Sequence, residues 1–425
     1  MAADAAEGTP SAPAWQTRLA ATFRALRNYN YRLYWCGQLG AMTGSWIQRT
    51  ATAWLVLQIS DSPLAVGAVT MLQFLPVLVF GLFGGLLADR LPKRRLLVGI
   101  QLVQAAQAVT LALLVDTGHV QLWHVYLLAI IQGFAFAVET PTRGAFVMEL
   151  VGADDLPNAV ALNSTNFNLS RVLGPSTAGF LIATVGTGIC FWVNALSYVP
   201  AMAALLLMRP AQFHSVPGPA RGAVGRQLLE GLAYAGRTPT VFGPLLLIGT
   251  VGAFGFSFGT TLPLIARYLF ETGPEGYGLL SSCLGVGAMA AALIIAGRQR
   301  ATLRMLLGSA VAFLLVHVAV LLCPWFVVTA VLLGALGGTS IVVSATAQTL
   351  IQLAAPGQMR GRVMGLFSLT FMGLTPLGAL AIGALSEALG VRNGLMVVVG
   401  ICALGTLATW LYLRRSLGPG VLADA

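Results

Sequence analysis

Charged side chains are scarce in this 425-residue sequence. Only 9% of its residues are Asp, Glu, Lys or Arg, whereas 57% are hydrophobic. A soluble domain needs roughly 25–35% charged residues on its surface to stay dissolved. The shortage of charge therefore excludes a soluble globular protein and places the chain in lipid.

Cysteine, histidine and lysine are also rare, and each shortage removes a class of chemistry. The five cysteines lie one per hydrophobic run, without a CxxC pair, so neither a disulfide nor a metal site is expected. The four histidines are spread over different segments, which argues against a membrane-embedded enzyme. Lys93 follows Leu-Pro rather than a glycine-rich phosphate loop, which excludes an ATP-driven pump. We expect no catalytic residue, metal or cofactor.

Long apolar runs are what the sequence has in abundance. A helix needs about 20 apolar residues to cross the hydrocarbon core of a bilayer. Twelve runs of this kind predict an all-α integral membrane protein with twelve transmembrane helices. They lie at about 33–58, 64–87, 96–115, 122–142, 162–184, 187–208, 240–268, 277–297, 303–323, 325–350, 363–386 and 392–413.

The positions of the basic residues explain the net charge of +10 without nucleic acid. Twenty of the 24 basic residues fall in the N-terminus, the alternate loops or the C-terminus, which would share one side of the membrane. The positive-inside rule makes that side cytoplasmic. The polar start of the chain lacks the apolar core of a cleavable signal peptide. We therefore predict a multi-pass protein of a bacterial inner (plasma) membrane with both termini in the cytoplasm.

A polar interruption from Arg209 to Pro239 divides the runs six and six. The two halves resemble one another, since Gly174-Pro175 in the fifth run corresponds to Thr375-Pro376 in the eleventh. Such repeats predict two pseudo-symmetric six-helix bundles around a central site. The predicted parts are a cytoplasmic N-terminal segment (1–32), an N-terminal bundle (33–208), a cytoplasmic central loop (209–239), a C-terminal bundle (240–414) and a cytoplasmic tail (415–425).

A loop motif after the second run carries a family resemblance. It reads Gly85-Leu-Leu-Ala-Asp89-Arg90-Leu-Pro92-Lys93-Arg94-Arg95 and resembles the signature loop of the major facilitator superfamily. Further segments resemble its enterobactin-exporter-like and macrolide-efflux-like branch. Among them are Gly44-Ser-Trp46-Ile-Gln48-Arg49, Glu139-Thr-Pro141-Thr-Arg143 and Arg360-Gly-Arg362-Val-Met-Gly365. The resemblance covers essentially the whole chain and implies the major facilitator fold.

Gly174-Pro175-Ser-Thr-Ala-Gly179 resembles the core of the antiporter motif of superfamily exporters. Its proline removes a helix hydrogen bond and its glycines permit a bend, so we expect a hinge in the fifth helix at Gly174 and Pro175. Ala129 stands where proton-coupled relatives often carry arginine. A proton-coupled route would therefore need another residue.

One stripe of the first helix is the best candidate for a substrate-binding surface. At 100° per residue, Gln38, Met42, Trp46 and Arg49 fall on one face. A charge inside a membrane usually faces a cavity or a partner. We therefore expect these residues to line a cavity for an amphipathic ligand; the alternative is an arginine that snorkels outward or forms a structural pair.

The second half offers further candidates for the same cavity. In the superfamily that the chain resembles, the seventh and tenth helices line the cavity. The resemblance therefore implies that Phe254 and Phe258 of the seventh helix and Ser344 and Gln348 of the tenth complete it. Packing between helices is the alternative role for these side chains.

Several charged residues near the predicted cytoplasmic side suggest a gate. Asp89 and Arg90 together with Glu139 and Arg143 could form an interdomain lock, and Arg171 could form a gate ion pair or contact substrate. The alternative is that these are solvated loop charges. Glu139 is the acidic residue nearest the membrane interior and is our candidate for proton coupling. His317 has a suitable intrinsic pKa, but packing is its expected role.

These features together predict a secondary-active exporter of small hydrophobic or amphipathic organic molecules: a drug, a siderophore or a secondary metabolite. It would work by alternating access as a proton-coupled antiporter. An importer of a small metabolite, acting as a symporter or facilitator, is the alternative. The expected partners are a small-molecule substrate, membrane lipid and H+, and the chain is expected to act as a monomer.

Overall fold

The computed structural model describes residues 23–214, 224–296 and 301–418. Within these ranges the chain is helical and contains no β-strand. Helix boundaries follow local chemistry. The first long helix begins where the Asn28 side chain accepts a hydrogen bond from the Tyr31 amide at 3.0 Å, and it ends at Asp61, which has a positive φ of 45°. Residues 1–22, residues 215–223 of the predicted central loop, residues 297–300 and residues 419–425 of the predicted tail lie outside the described residues.

The first half, residues 23–208, contains five α-helices and a short 3₁₀ turn, Arg24–Arg27. The longest is 63 residues and bends at Gly152, whose φ of +72° is a conformation that glycine adopts readily. It is thus two helical arms, 122–151 and 153–184. The helices are α1 (Tyr29–Ser60), α2 (Pro63–Arg90), α3 (Lys93–Asp116), α4 (Leu122–Thr184) and α5 (Gly188–Leu207).

The second half, residues 239–417, follows a 3₁₀ turn, Pro210–Gln212, and the amphipathic helix α6 (Val224–Arg237). The first membrane-spanning segment of this half is irregular. A π-helical stretch, Ile248–Gly255, ends at a break at Phe256 and Ser257, and a second one, Ile265–Leu269, follows the short helix Phe258–Leu264. The helices are α7 (Pro239–Leu247), α8 (Phe258–Leu264), α9 (Pro274–Ala296), α10 (Leu303–Leu322), α11 (Phe326–Ala354), α12 (Gly357–Gly373), α13 (Thr375–Leu389) and α14 (Val391–Leu417).

Ten helical segments among the described residues are long and apolar enough to cross a membrane. One of them is α4, which holds the fourth and fifth predicted spans in its two arms. α1 is not among the ten, because residues such as Gln38, Gln48 and Arg49 interrupt its apolar character. Counting α4 as two and adding α1 gives the twelve predicted helices. The all-α membrane class is therefore confirmed, while the proposed domain boundaries remain a prediction.

The helices run back and forth between two ends of the molecule. We call the end that holds Arg90, Arg209 and Arg360 the basic end, and the end that holds the turns at Asp61 and Gly390 the opposite end. The two halves meet mainly where α2 packs on α13 and where the second arm of α4 packs on α9. The space between these two crossings holds the candidate site.

Candidate functional site

A cavity of about 280 Å³ lies between the two halves. Side chains from both halves line it, so that its shape depends on how the halves are arranged. The first half contributes Trp46, Arg49, Thr50, Thr52, Ala53, Val69, Thr70, Gln73, Phe74, Phe167, Arg171 and Pro175. The second half contributes Phe256, Ser257, Phe258, Gly259, Leu262, Tyr277, Ser281, Leu284, Ser340, Ile341, Ser344, Phe371 and Thr375.

Arg49 lies in this cavity among aromatic rings. Its guanidinium carbon is 5.4 Å from the ring centre of Trp46, 5.7 Å from that of Phe74 and 5.3 Å from that of Phe136. A desolvated cation over a ring is stabilised by about 2 kcal/mol. Its buried Nε has no hydrogen-bond partner, and none of the ion pairs in the described part of the chain includes Arg49. The rings hold the cation without neutralising it.

Arg171 is the second cation of the cavity. Its guanidinium carbon is 5.9 Å from the Phe167 ring centre, and its Nη2 donates a hydrogen bond to Asn168 Oδ1 at 3.1 Å. Its Nε is buried and unpartnered, like that of Arg49. Phe167 meets Trp46 edge to face at 5.8 Å between ring centres. The two arginines are thus joined by a pair of aromatic rings.

Glu139 lies beside the cavity rather than in its lining. Only 8% of the residue is exposed. Gln104 Nε2 donates to Glu139 Oε2 at 2.8 Å, and Arg143 Nη1 lies 3.5 Å from Glu139 Oε1. Arg143 also donates to the Tyr34 hydroxyl at 3.2 Å. A carboxylate inside the bilayer is expensive unless it is paired, and this network supplies the pairing.

Gly174 and Pro175 serve helix packing in this structure. The α4 backbone remains helical there, and its one non-helical residue is Gly152. A Cβ on Gly174 would come 2.3 Å from the Trp46 Cβ, so the glycine lets α4 approach α1 at the edge of the cavity. Pro175 lines the cavity, and its carbonyl lies against Gly278 of α9.

The other predicted site residues lie outside the cavity lining. Gln38 is buried, and Met42 Sδ accepts a hydrogen bond from Arg143 Nη2 at 3.4 Å. Phe254 is half-buried against the hydrophobic core, and Gln348 is exposed. Of the eight predicted cavity residues, Trp46, Arg49, Phe258 and Ser344 are among those that line it.

The predicted gate residues are also dispersed. Asp89 and Arg90 are exposed at the basic end, and no hydrogen bond or ion pair of their side chains is found within the described ranges. Arg143 pairs with Glu139 of its own helix. His317 is buried in α10 with its ring edge to face against Phe313, at 5.6 Å between ring centres. It does not belong to the cavity lining.

Amide side chains whose pairing the sequence analysis did not predict join the helices of the first half. Gln48 Nε2 donates to Gln107 Oε1 at 2.8 Å, and Asn194 Nδ2 donates to Gln48 Oε1 at 2.7 Å. Gln73 Nε2 donates to Gln132 Oε1 at 2.8 Å. Amides inside apolar runs of membrane helices usually bond across helices. That rule could have identified this network from the sequence.

Backbone contacts between the two halves close the cavity toward the opposite end. A Cβ on Gly67 would lie 2.5 Å from the Ala379 carbonyl oxygen, and one on Gly179 would lie 2.9 Å from the Gly278 Cα. Glycine therefore lets helices of the two halves touch directly. Trp54 stacks on Tyr277 across the same boundary, with ring centres 6.1 Å apart.

Hydrogen bonds and an ion pair complete this closure. Tyr268 donates to the Asp61 carbonyl oxygen at 2.7 Å, and Arg267 Nε lies 3.3 Å from Asp61 Oδ1. The Ser62 hydroxyl donates to Glu387 Oε2 at 2.9 Å. Each of these contacts joins the first half to the second. The cavity is therefore sealed from the opposite end.

A central cavity between two six-helix halves, sealed at one end, defines a membrane transporter of the major facilitator fold. The family model described as transmembrane secretion effector matches residues 20–418. The chain belongs to this family of the major facilitator superfamily.

Two of the curated relatives that the chain matches are exporters by name. The chain is 26% identical over 392 residues to the multidrug efflux pump Tap of Mycolicibacterium fortuitum, covering 89% of this chain and 95% of that protein. It is 26% identical over 305 residues to the enterobactin exporter EntS of Escherichia coli O1:K1 / APEC, covering 71% and 72%.

Solved structures share the fold at low identity. The chain superposes on a bacterial homologue of the human lysosomal transporter Spinster, solved inward-facing and unoccupied. The TM-score is 0.73 at 14% identity, over 92% of this chain and 98% of that one. This likeness supports the fold alone.

Proposed function

We propose that this transporter exports small hydrophobic or amphipathic organic molecules by alternating access, in exchange for protons. The observation that carries the proposal is the cavity between the halves, aromatic in its lining and sealed at the opposite end. An apolar, aromatic lining with a few polar groups suits amphipathic cargo. The efflux names of the relatives support the direction.

The sidedness follows from the charge distribution. Arg90, Arg209 and Arg360 cluster at the basic end, which the positive-inside rule assigns to the cytoplasm. In this arrangement the cavity is closed toward the outside and loads from the cytoplasm. Rocking of the halves would then open the glycine crossings and release the substrate outside.

Glu139 is the proposed proton carrier. It is buried, and Gln104 of α3 and, through Arg143 of its own helix, Tyr34 of α1 connect it to two other helices. Protonation would remove the negative charge that faces Arg143 and also attracts Arg49. The proton and the substrate would thereby compete through the charge balance next to the cavity.

Transport into inside-out vesicles tests the proposal. Vesicles with respiration-driven acidification should accumulate substrates from a panel of hydrophobic antibiotics, dyes and a catecholate siderophore. Nigericin, which collapses the pH gradient, should abolish the accumulation. Substrate that enters right-side-out vesicles, and none that accumulates in inside-out vesicles, would establish an importer instead.

Glu139→Gln should make any remaining transport insensitive to nigericin, because the side chain can no longer change its charge. The matched control is Glu149→Gln, which removes a carboxylate of the same helix that pairs with Lys93 at 2.7 Å, outside the cavity. A nigericin response that persists in Glu139→Gln and vanishes in Glu149→Gln would show that Glu149, and not Glu139, carries the proton.

A further inference from the structure

We propose that the cavity selects small aromatic anions, such as a one- or two-ring carboxylate or sulfonate. This inference rests on the proposed function, because it names the substrate class of the same cavity. Aromatic anions are a narrower class than amphipathic molecules in general, because they do not include cations.

The charges of the lining are the first argument. Arg49 and Arg171 are its two charged side chains, and no acidic residue is among the described residues that line it. Glu139 attracts Arg49 from outside the lining, but Gln104 and Arg143 already engage its carboxylate oxygens. A cation in the cavity would face two like charges. An anion would supply the partner that both arginines lack.

The hydrogen-bonding capacity of the two arginines is the second argument. Both Nε atoms are buried without a partner in the structure. A buried donor without a partner is costly, and a ligand oxygen at this position would satisfy it. The planar guanidinium suits a carboxylate or sulfonate in particular, because two parallel N–H groups can meet two oxygens.

The aromatic rings are the third argument. Trp46 and Phe74 hold the Arg49 guanidinium, while Phe256, Phe258 and Phe371 reach the cavity from the other half. Phe256 and Phe258 stack with ring centres 6.2 Å apart, and Phe256 also meets Phe371 at 6.1 Å. A ligand with its anionic group on the arginines would place its aromatic body against these rings.

The volume limits the ligand's size. A cavity of about 280 Å³ lies just below the range of about 300–1,000 Å³ that is usual for ligand pockets. One anionic group with one or two rings matches this volume.

A charge series on one ring system tests the inference directly. The probes are 2-naphthoate, 2-naphthamide and 2-naphthylmethylammonium, which share a body and differ in charge. Binding to the full-length protein in lipid nanodiscs is measured by calorimetry. We expect naphthoate to bind at least about tenfold more tightly than the amide, as expected for the loss of a charge-assisted hydrogen bond. The ammonium compound should bind more weakly still.

Arginine variants connect the preference to the cavity. Arg49→Gln and Arg171→Gln should each reduce the preference for naphthoate over naphthamide, and Arg49→Lys should keep part of it. Arg414→Gln is the matched control, because Arg414 lies 5.1 Å from the Trp410 ring centre outside the cavity lining. It should leave the series unchanged.

Equal binding of the three probes, tighter binding of the ammonium probe, or no binding of naphthoate would overturn the inference. These wild-type results do not depend on the folding of any variant. A preference that survives the double change Arg49→Gln and Arg171→Gln would overturn it as well.

Vesicle transport separates this inference from the proposed function. Export of cationic dyes without export of naphthoate would leave an exporter but refute the anion preference. Tight naphthoate binding together with uptake only into right-side-out vesicles would keep the anion preference and refute export.

Discussion

The two ends of the molecule are held in different ways. At the opposite end, backbone contacts at Gly67 and Gly179, the Trp54–Tyr277 stack and the Asp61–Arg267 pair all join one half to the other. At the basic end, the described ion pairs do not join one half to the other. Lys93–Glu149 lies within the first half, and Arg362–Glu230 joins the second half to α6, the helix that precedes it. The cavity is therefore sealed on one side by inter-half contacts, which would have to break in the alternating access that we propose, while the basic-end pairs could persist.

The difference also explains how a closed end can reopen. Glycine crossings bring backbones together without interlocking side chains, so the halves can separate with little repacking. The exposed Asp61–Arg267 pair adds little to the closure, since pairs of this kind contribute about 0–1 kcal/mol. We therefore expect helix packing, rather than charge, to control the balance between closed and open states.

Gly67→Leu should have the largest effect. Even its Cβ would lie 2.5 Å from the Ala379 carbonyl oxygen, so α2 and α13 would have to separate. Overpacking of this kind costs about 1–3 kcal/mol, which would shift the equilibrium between the closed and open states by about 5- to 150-fold. Spin labels at the exposed residues Leu64 and Leu389 should report a longer distance across the opposite end, and transport should fall accordingly.

Gly400→Leu is the control for this change. It adds the same side chain in α14, where a Cβ meets no atom within 4 Å. An unchanged distance in Gly67→Leu, or an equal change in Gly400→Leu, would show that the glycine crossing does not hold the opposite end closed.

Trp54→Leu should have an intermediate effect. It removes a stack between the halves but leaves an apolar side chain in a buried position, where Trp54 is 4% exposed. An aromatic pair contributes about 0.5–1.5 kcal/mol beyond its buried area, so the fraction of molecules that are open at the opposite end should rise a few-fold. The same spin-label distance measures it. Phe242→Leu, which disrupts a pair with Tyr412 inside one half, should leave that distance unchanged.

Asp61→Asn should have the smallest effect. The pair with Arg267 is the one described ion pair between the halves, yet its side chains are 63% and 48% exposed. Screening by solvent makes such a pair weak. Transport should change by less than about threefold. The comparison is Glu230→Gln, which removes the pair between Glu230 of α6 and Arg362 of α12. A complete loss in Asp61→Asn alone would mean that charge, and not packing, closes this end.

Long apolar runs and the family resemblance predicted the fold, whereas the periodicity of α1 predicted the site only in part. The stripe from Gln38 to Arg49 describes one face of α1 correctly and says nothing about depth. Eleven residues of helix rise roughly 16 Å, which exceeds the depth of one small cavity. Trp46 and Arg49 therefore reach the cavity, whereas Met42 lies beside Arg143.

The surroundings of Arg49 could not be predicted from its own helix. Phe74 lies on α2 and Phe136 on the first arm of α4, so their approach depends on tertiary packing. The same holds for Gly174. Its place in a glycine-proline motif suggests a bend, but the contact with Trp46 shows that space for a neighbouring helix is what the glycine supplies.

The central claim is that the cavity is reached from the basic end, on the cytoplasmic side, while the opposite end is closed. The direct test is to label a single cysteine, Ser344→Cys, after the five native cysteines are replaced by alanine. Thr184→Cys and Arg360→Cys, exposed at the opposite and basic ends, serve as sidedness controls. A membrane-impermeant maleimide should modify Ser344→Cys rapidly in inside-out vesicles and slowly in right-side-out vesicles. Faster modification in right-side-out vesicles would contradict the account.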